Sequence, residues 1–256
     1  MTLARIEAGS GPVVLLVPGF TGSKEDFRLV LEPLAAQGFR AVAVDQRGQH
    51  ESAGHDDPGA YAVPVLGQDL LALIDELGGP VHLVGHSFGG LVARAAVIER
   101  PSAVRSLTLL SSGPAALQGP RVELLPLLRP LLEQGGIVAL ADALDAVTAQ
   151  LPAEQQRPAQ EAAFLRARFL RNHPIGLTAM ADALVSEPDR VAELAATGVP
   201  TQVVYGEDDD AWPPQVQTEM AARLGAPVVV IADAAHSPAV ENPTALVQAL
   251  VRFFPR

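Results

Sequence analysis

Short apolar runs recur along the chain and are separated by longer stretches whose apolar positions fall at helical spacing. Val13–Val17, Ala41–Val44, Val81–Val84, Leu107–Leu110, Thr201–Tyr205 and Pro227–Ile231 are too short for buried helices and are rich in β-branched residues, so they read as strands. Lys24–Gln37, Val65–Leu77 and Phe88–Arg100 have helical spacing and stop at Gly38, Gly78-Gly79 and Pro101. Thr2–Ala8 alternates weakly, as an edge strand does. Alternating strands and helices predict an α/β fold: a mostly parallel central sheet flanked by helices on both faces. A site in such a fold belongs at the carboxyl ends of the strands.

Between Gly113 and roughly Pro188 the alternation fails. That segment is rich in Leu, Ala, Gln, Arg and Pro without β-branched runs, so several helices are expected there, and strand signals resume at Val199. The predicted organisation is a core of residues 1–112 and 189–256 with a helical insertion of residues 113–188. Arg157, Arg166, Arg168 and Arg171 cluster near Phe164 and Phe169 within the insertion. They are expected to form a solvated face that pairs with surface acids; recognition of a substrate carboxylate is the alternative.

Composition narrows the classes of function. With 18 basic against 29 acidic residues and a net charge of -11, nucleic acid would be repelled. Hydrophobic residues, at 48%, suffice for a sheet buried on both faces. Cysteine is absent, which removes disulfides and a thiol nucleophile. No stretch approaches the roughly 18 apolar residues of a membrane span, and Val13–Val17 is too short and wrongly flanked for a signal peptide. A cytoplasmic protein is expected, with a small molecule as partner and neither nucleic acid nor membrane. Oligomeric state is left open.

The chemistry concentrates at Gly85-His86-Ser87-Phe88-Gly89, which follows the strand Val81–Val84 and opens a helix. A serine at such a corner sits in a strained conformation with its hydroxyl clear of the sheet, and glycines at 85, 89 and 90 leave room where strand and helix approach. A serine hydroxyl needs a base, and the base needs an orienting acid. Glu207-Asp208-Asp209-Asp210 follows the strand ending at Tyr205, and His236 follows the run ending at Ile231. The histidines show no metal-ligand spacing with carboxylate or thiol companions, and no phosphate-binding glycine loop with lysine is present, so no metal and no cofactor are expected. His82, mid-strand, reads as a core residue.

Taken together, these motifs resemble the α/β-hydrolase superfamily, specifically its small serine hydrolases of the esterase, lipase-like and C-C bond hydrolase type. Pro18-Gly19-Phe20 stands where that family usually has His-Gly-x, and Asp45-Gln46-Arg47-Gly48-Gln49-His50-Glu51-Ser52 is similar to its D-x-R-G-x-G-x-S turn, with His50 in place of glycine. Gly206-Glu207-Asp208-Asp209 with Pro213 looks like G-x-x-D-x-x-x-P, which selects Asp209 as the acid, and Ala235-His236-Ser237-Pro238 resembles the histidine loop. The resemblance implies a Ser87-His236-Asp209 triad, backbone N–H donors of Phe20 and Phe88 for an oxyanion, and an insertion that caps the serine. An aspartate at the elbow would have suggested an epoxide or haloalkane hydrolase. The implied activity is hydrolysis of a small carboxylic ester through an acyl-enzyme. A C-C bond hydrolase, thioesterase or lactonase would use the same triad, and a hormone-receptor-like binding protein with slow turnover is a further alternative. Trp212, beyond the acid, and His86, inside the elbow, are candidate substrate-binding residues.

Overall fold

The computed structural model describes residues 2–118, 122–123, 125, 128–150 and 157–255. Seven strands form one sheet in the order β1-β3-β2-β4-β5-β6-β7: β1 (Arg5–Gly9), β2 (Val13–Val17), β3 (Arg40–Val44), β4 (Val81–His86), β5 (Val104–Leu110), β6 (Thr201–Gly206) and β7 (Val228–Ile231). Only β1 runs antiparallel, against β3; every other pairing is parallel. Parallel neighbours need crossovers, and helices supply them.

The continuous apolar character of the strands has a direct cause. Leu15, Val17, Val42, Val44 and Leu83 point into one core with α2 (Val63–Glu76) and α3 (Phe88–Glu99). Val14, Leu16, Ala41, Ala43 and Val84 point into the other, with α1 (Arg28–Ala36) and α10 (Pro243–Phe253). Successive side chains leave opposite faces of a strand, so burial on both faces favours apolar residues at nearly every position, and the buried polar exceptions pair across strands, His82 with Ser106 and Gln202 with Thr108. Each such Val or Leu contributes about 1.5–3 kcal/mol of transfer free energy.

Some boundaries differ from the periodic reading. The stretch predicted as one helix from Lys24 begins as a 3-10 turn, Lys24–Phe27, because Lys24 is drawn inward: its N–H and ammonium both bond Asp45 at the end of β3. β5 starts at Val104 rather than Leu107, since Val104 still pairs with Val81 although Arg105 faces outward.

Among the described residues, three α-helices lie in the segment predicted to be helical: α4 (Leu128–Thr148), broken at Gly136 where φ is 69°, α5 (Ala159–Leu170) and α6 (Pro174–Ser186). Parts of the expected insertion, residues 119–121, 124, 126–127 and 151–156, lie outside the described residues. α6 joins the main core through Met180 and Leu184, whereas α5 has no buried residue. After α6 the chain continues through α7 (Val191–Ala196), β6, α8 (Pro214–Leu224), β7, the single turn α9 (Pro238–Glu241) and α10. Among the described residues no helix is long and apolar enough to cross a membrane.

Candidate active site

β4 ends at His86 and α3 begins at Phe88, leaving Ser87 between them at φ 54° and ψ -121°. That left-handed φ is strained for a non-glycine residue and holds only because its surroundings over-determine it. Ser87 N–H donates to the Leu110 carbonyl at 2.9 Å, and Ser112 Oγ donates to the Ser87 carbonyl at 2.8 Å. A Cβ on Gly85 would stand 2.4 Å from the Gly89 oxygen, and one on Gly89 would stand 2.4 Å from the Pro18 oxygen. The two glycines are therefore required by close approach of backbone to backbone, as the spacing around the serine suggested.

Ser87, Asp209 and His236 converge although they lie on three separate loops. His236 Nε2 is 3.0 Å from Ser87 Oγ, and His236 Nδ1 is 2.9 Å from Asp209 Oδ1. A carboxylate only accepts, so Nδ1 carries the hydrogen and Nε2 is left to take the Ser87 proton. Asp209 also accepts from Ala211 N–H at 3.0 Å and from Gln217 Nε2 at 2.9 Å. Burial works to raise the Asp209 carboxyl, yet the hydrogen bond and charge of His236, with the hydrogen bonds from Ala211 and Gln217, outweigh it and hold the group below its ordinary value. Asp208 and Asp210 are exposed, while Asp209 is 4% exposed. Asp209 is the one of the three that meets the histidine.

A cavity of about 420 Å³ opens over Ser87 and His236, with Phe20 and Gly19 on one side and Leu117, Phe164 and Leu184 facing them. Phe20 lies in its wall, beside the nucleophile. Phe88 is the first residue of α3, where a backbone N–H has no intrahelical acceptor. Gln46 Nε2 and Gln49 Nε2 donate to the Pro18 and Gly19 carbonyls, each at 2.9 Å, and so fix the segment after β2 that carries Phe20. Glu241 accepts from Ala235 and Ser237 N–H, each at 2.9 Å, and fixes the loop that carries His236. Gln217, Gln46, Gln49 and Glu241 were not singled out from the sequence as functional; Gln46 and Gln49 lay inside the turn already noted and Glu241 closely follows the histidine loop, whereas nothing local marks Gln217.

Trp212 requires a correction. Expected to line the pocket, it is 0% exposed and borders no part of the cavity. Its indole packs against Gly113, whose Cβ would stand 2.1 Å from the ring, and Nε1 donates to the Ala116 carbonyl at 3.3 Å. The ring lies beneath the chain that leaves β5 and supports that chain from below. His86, by contrast, does border the cavity.

The arginines of the helical segment are paired with acids, and Arg157 and Arg168 also border the cavity. Arg166 meets Asp142 and Asp145, Arg157 meets Glu161, and Arg168 meets Asp26. His50 takes φ 41°, which explains why glycine is usual at that position of the turn. Among the described residues, Glu25, His50 and Glu51 are spaced closely enough to hold a cation. The Lys24 ammonium already contacts both carboxylates, at 2.9 and 2.8 Å, and meets that charge. His82 is 1% exposed, bonded to Ser106 Oγ at 2.8 Å and stacked on Phe254.

A family model described as "Alpha/beta hydrolase family" matches residues 14–249, and the chain belongs to that family. A bifunctional epoxide hydrolase 2 of Sus scrofa is 33% identical over 108 residues, which cover 42% of this chain and 20% of that protein. Epoxide hydrolase 2 of Siraitia grosvenorii is 38% identical over 104 residues, covering 40% of this chain and 33% of that protein. The chain thus spans well under half the length of these curated relatives. Among solved structures, a thermophilic esterase of Thermogutta terrifontis is similar over 98% of this chain and 92% of its own, with a TM-score of 0.81 and 29% identity. An enol-lactonase of Burkholderia xenovorans LB400 shares the fold, with a TM-score of 0.82 at 24% identity, over 98% of this chain and 95% of its own. The α/β-hydrolase superfamily is the class these findings support.

Proposed function

We propose that this protein hydrolyses small carboxylic esters through an acyl-enzyme on Ser87. The observation that carries the reading is the continuous hydrogen-bonded run from Ser87 Oγ through His236 to Asp209, at the floor of a cavity large enough for a small ester. Ser87 Oγ attacks the carbonyl carbon while His236 Nε2 takes its proton, and Asp209 stabilises the positive imidazole. The Phe20 and Phe88 N–H groups receive the oxyanion, each contributing on the order of 3 kcal/mol. His236 returns the proton to the departing alcohol. Water, deprotonated by the same nitrogen, then releases the acid. Helices α4–α6 serve as a cap that shapes the alcohol and acyl pockets.

Epoxide opening, the activity named for several relatives, fits Ser87 poorly. A serine oxygen that opened an epoxide would be left in an ether, with no carbonyl for water to attack, whereas an acylated serine is an ester that water cleaves. Turnover of activated esters from acetate to decanoate, with mass spectrometry after treatment with an alkyl phosphonate, tests the reading. Labelling of Ser87 with loss of turnover is expected. Ser87→Ala is expected to lose roughly 10³-fold or more while melting as wild type does. A folded Ser87→Ala variant within tenfold of wild type would refute the nucleophile.

A further inference from the structure

The position of the proton on His86 follows from its partner. His86 Nε2 lies 2.7 Å from the main-chain oxygen of His236. A carbonyl oxygen only accepts, so Nε2 carries the hydrogen. Burial, and then the neighbouring His236 ring with its centre 5.0 Å away, push this imidazole down to about 4. At neutral pH it is uncharged, and Nδ1 keeps a lone pair. Among the described residues no donor is bonded to Nδ1. Its place is beside the nucleophile: a Cβ on Gly19 would stand 3.2 Å from His86 Nδ1 and 3.4 Å from Ser87 Oγ. Gly19, His86 and Ser87 all border the cavity. Glycine at 19 therefore leaves uncovered an acceptor that a side chain there would screen.

Resting on the assignment of Ser87 as nucleophile, we propose that His86 Nδ1 is a specificity-determining acceptor and that the substrate bears a hydroxyl donor near the scissile carbonyl. The oxyanion donors and the Ser87–His236 pair act on the carbonyl itself, while Nδ1 addresses a neighbouring substituent. An ester with an alkyl or ether group at that place strips water from Nδ1 without replacing its hydrogen bond. That omission is penalised more heavily than a mismatch of apolar size. His86 thus selects hydroxy-acid esters over their plain or methylated counterparts.

The test compares kcat/KM for ethyl 2-hydroxybutanoate and ethyl 3-hydroxybutanoate with the matching O-methyl ethers and with ethyl butanoate. Wild type is expected to favour at least one hydroxy ester over both of its counterparts by about tenfold or more. In His86→Phe this ratio is expected to fall towards one, whatever happens to absolute rates. If His86 only props the His236 loop, all substrates fall together and the ratio persists, which overturns the proposal; so does a wild-type ratio of one at both hydroxyl positions. Failure to hydrolyse any ester would strike the hydrolase assignment instead. The acceptor is therefore also read without turnover, by ¹⁵N NMR of histidine-labelled protein. A bare His86 Nδ1 at neutral pH, whose resonance moves on adding the unreactive 2-hydroxybutanamide or 3-hydroxybutanamide but not butanamide, is expected. A protonated Nδ1, or an identical response to all three amides, would overturn the proposal regardless of activity.

Discussion

The elbow and helix α5 face each other across the same cavity and are held in place by opposite means. Around Ser87, backbone meets backbone so closely that Gly85 and Gly89 admit no side chain, and each functional group is gripped by further hydrogen bonds. Helix α5 contributes Phe164, Leu165 and Arg168 to the cavity yet buries no residue, and it is tied to the core by Arg168 on Asp26, with Ser23 Oγ 3.3 Å away. Close packing tolerates little displacement, whereas ion pairs and half-buried apolar contacts can be exchanged at small cost. The chemistry is thus built on the rigid side and the shape of the pocket on the yielding side.

Breaking the rigid side is expected to cost most. Asp209→Asn should lower kcat by on the order of 10⁴-fold, because an amide facing Nδ1 favours the wrong histidine tautomer. Asp208→Asn and Asp210→Asn, at exposed positions, should stay within a few-fold. Steady-state kinetics on one activated ester distinguishes the three, and a severe loss at Asp208 or Asp210 with Asp209 spared would reassign the acid.

Gly89→Ala should destabilise the fold by roughly 1–3 kcal/mol, since the new methyl must displace the backbone of Val17 and Pro18 at the end of β2 in a packed interior. Urea unfolding measures this; a loss below about 0.5 kcal/mol would mean that the elbow relaxes more easily than its contacts imply.

Acid should weaken the rigid core in a defined window. Burial pushes His82 down to about 4 from an ordinary 6.5, so between those values the unfolded chain binds the proton more readily than the native one. Stability conferred by the neutral ring is complete above about pH 6.5 and falls away as pH drops towards 4. At pH 5 the loss is on the order of 2 kcal/mol relative to pH 7.5. His82→Leu should show a correspondingly shallower pH dependence in urea unfolding, and an unchanged slope would remove His82 as its source.

The smallest effects belong to α5. Arg168→Ala, at a residue bordering the cavity, should raise KM a few-fold with kcat nearly unchanged and lower Tm by a few degrees, consistent with loss of about 1 kcal/mol. Arg166→Ala removes two exposed pairs and should leave KM and Tm within error. Equal responses from the two arginines would dissolve the contrast between a latch on the core and a solvated face.

Much of the architecture is written locally. Strands buried on both faces are mostly apolar, so β2, β3, β4 and β6 stand out within the sequence. The serine is marked by the glycines that steric contact requires, and the acid and histidine loops follow strands at recognisable places. The order of the strands across the sheet, by contrast, depends on which edges meet, and no single run encodes its neighbour. Gln217 reaches Asp209 from a helix whose own sequence gives no reason to expect it. Trp212 looked like a pocket residue because it follows the acid, yet its side chain turns beneath Gly113, a position set by a segment about a hundred residues earlier. Periodicity, glycine spacing and turn chemistry are properties of neighbours in the chain, and the sequence determines them by itself. The direction in which a side chain points, and the hydrogen-bond partner a buried polar group finds, depend on distant segments that share the same space, and only the tertiary structure decides them.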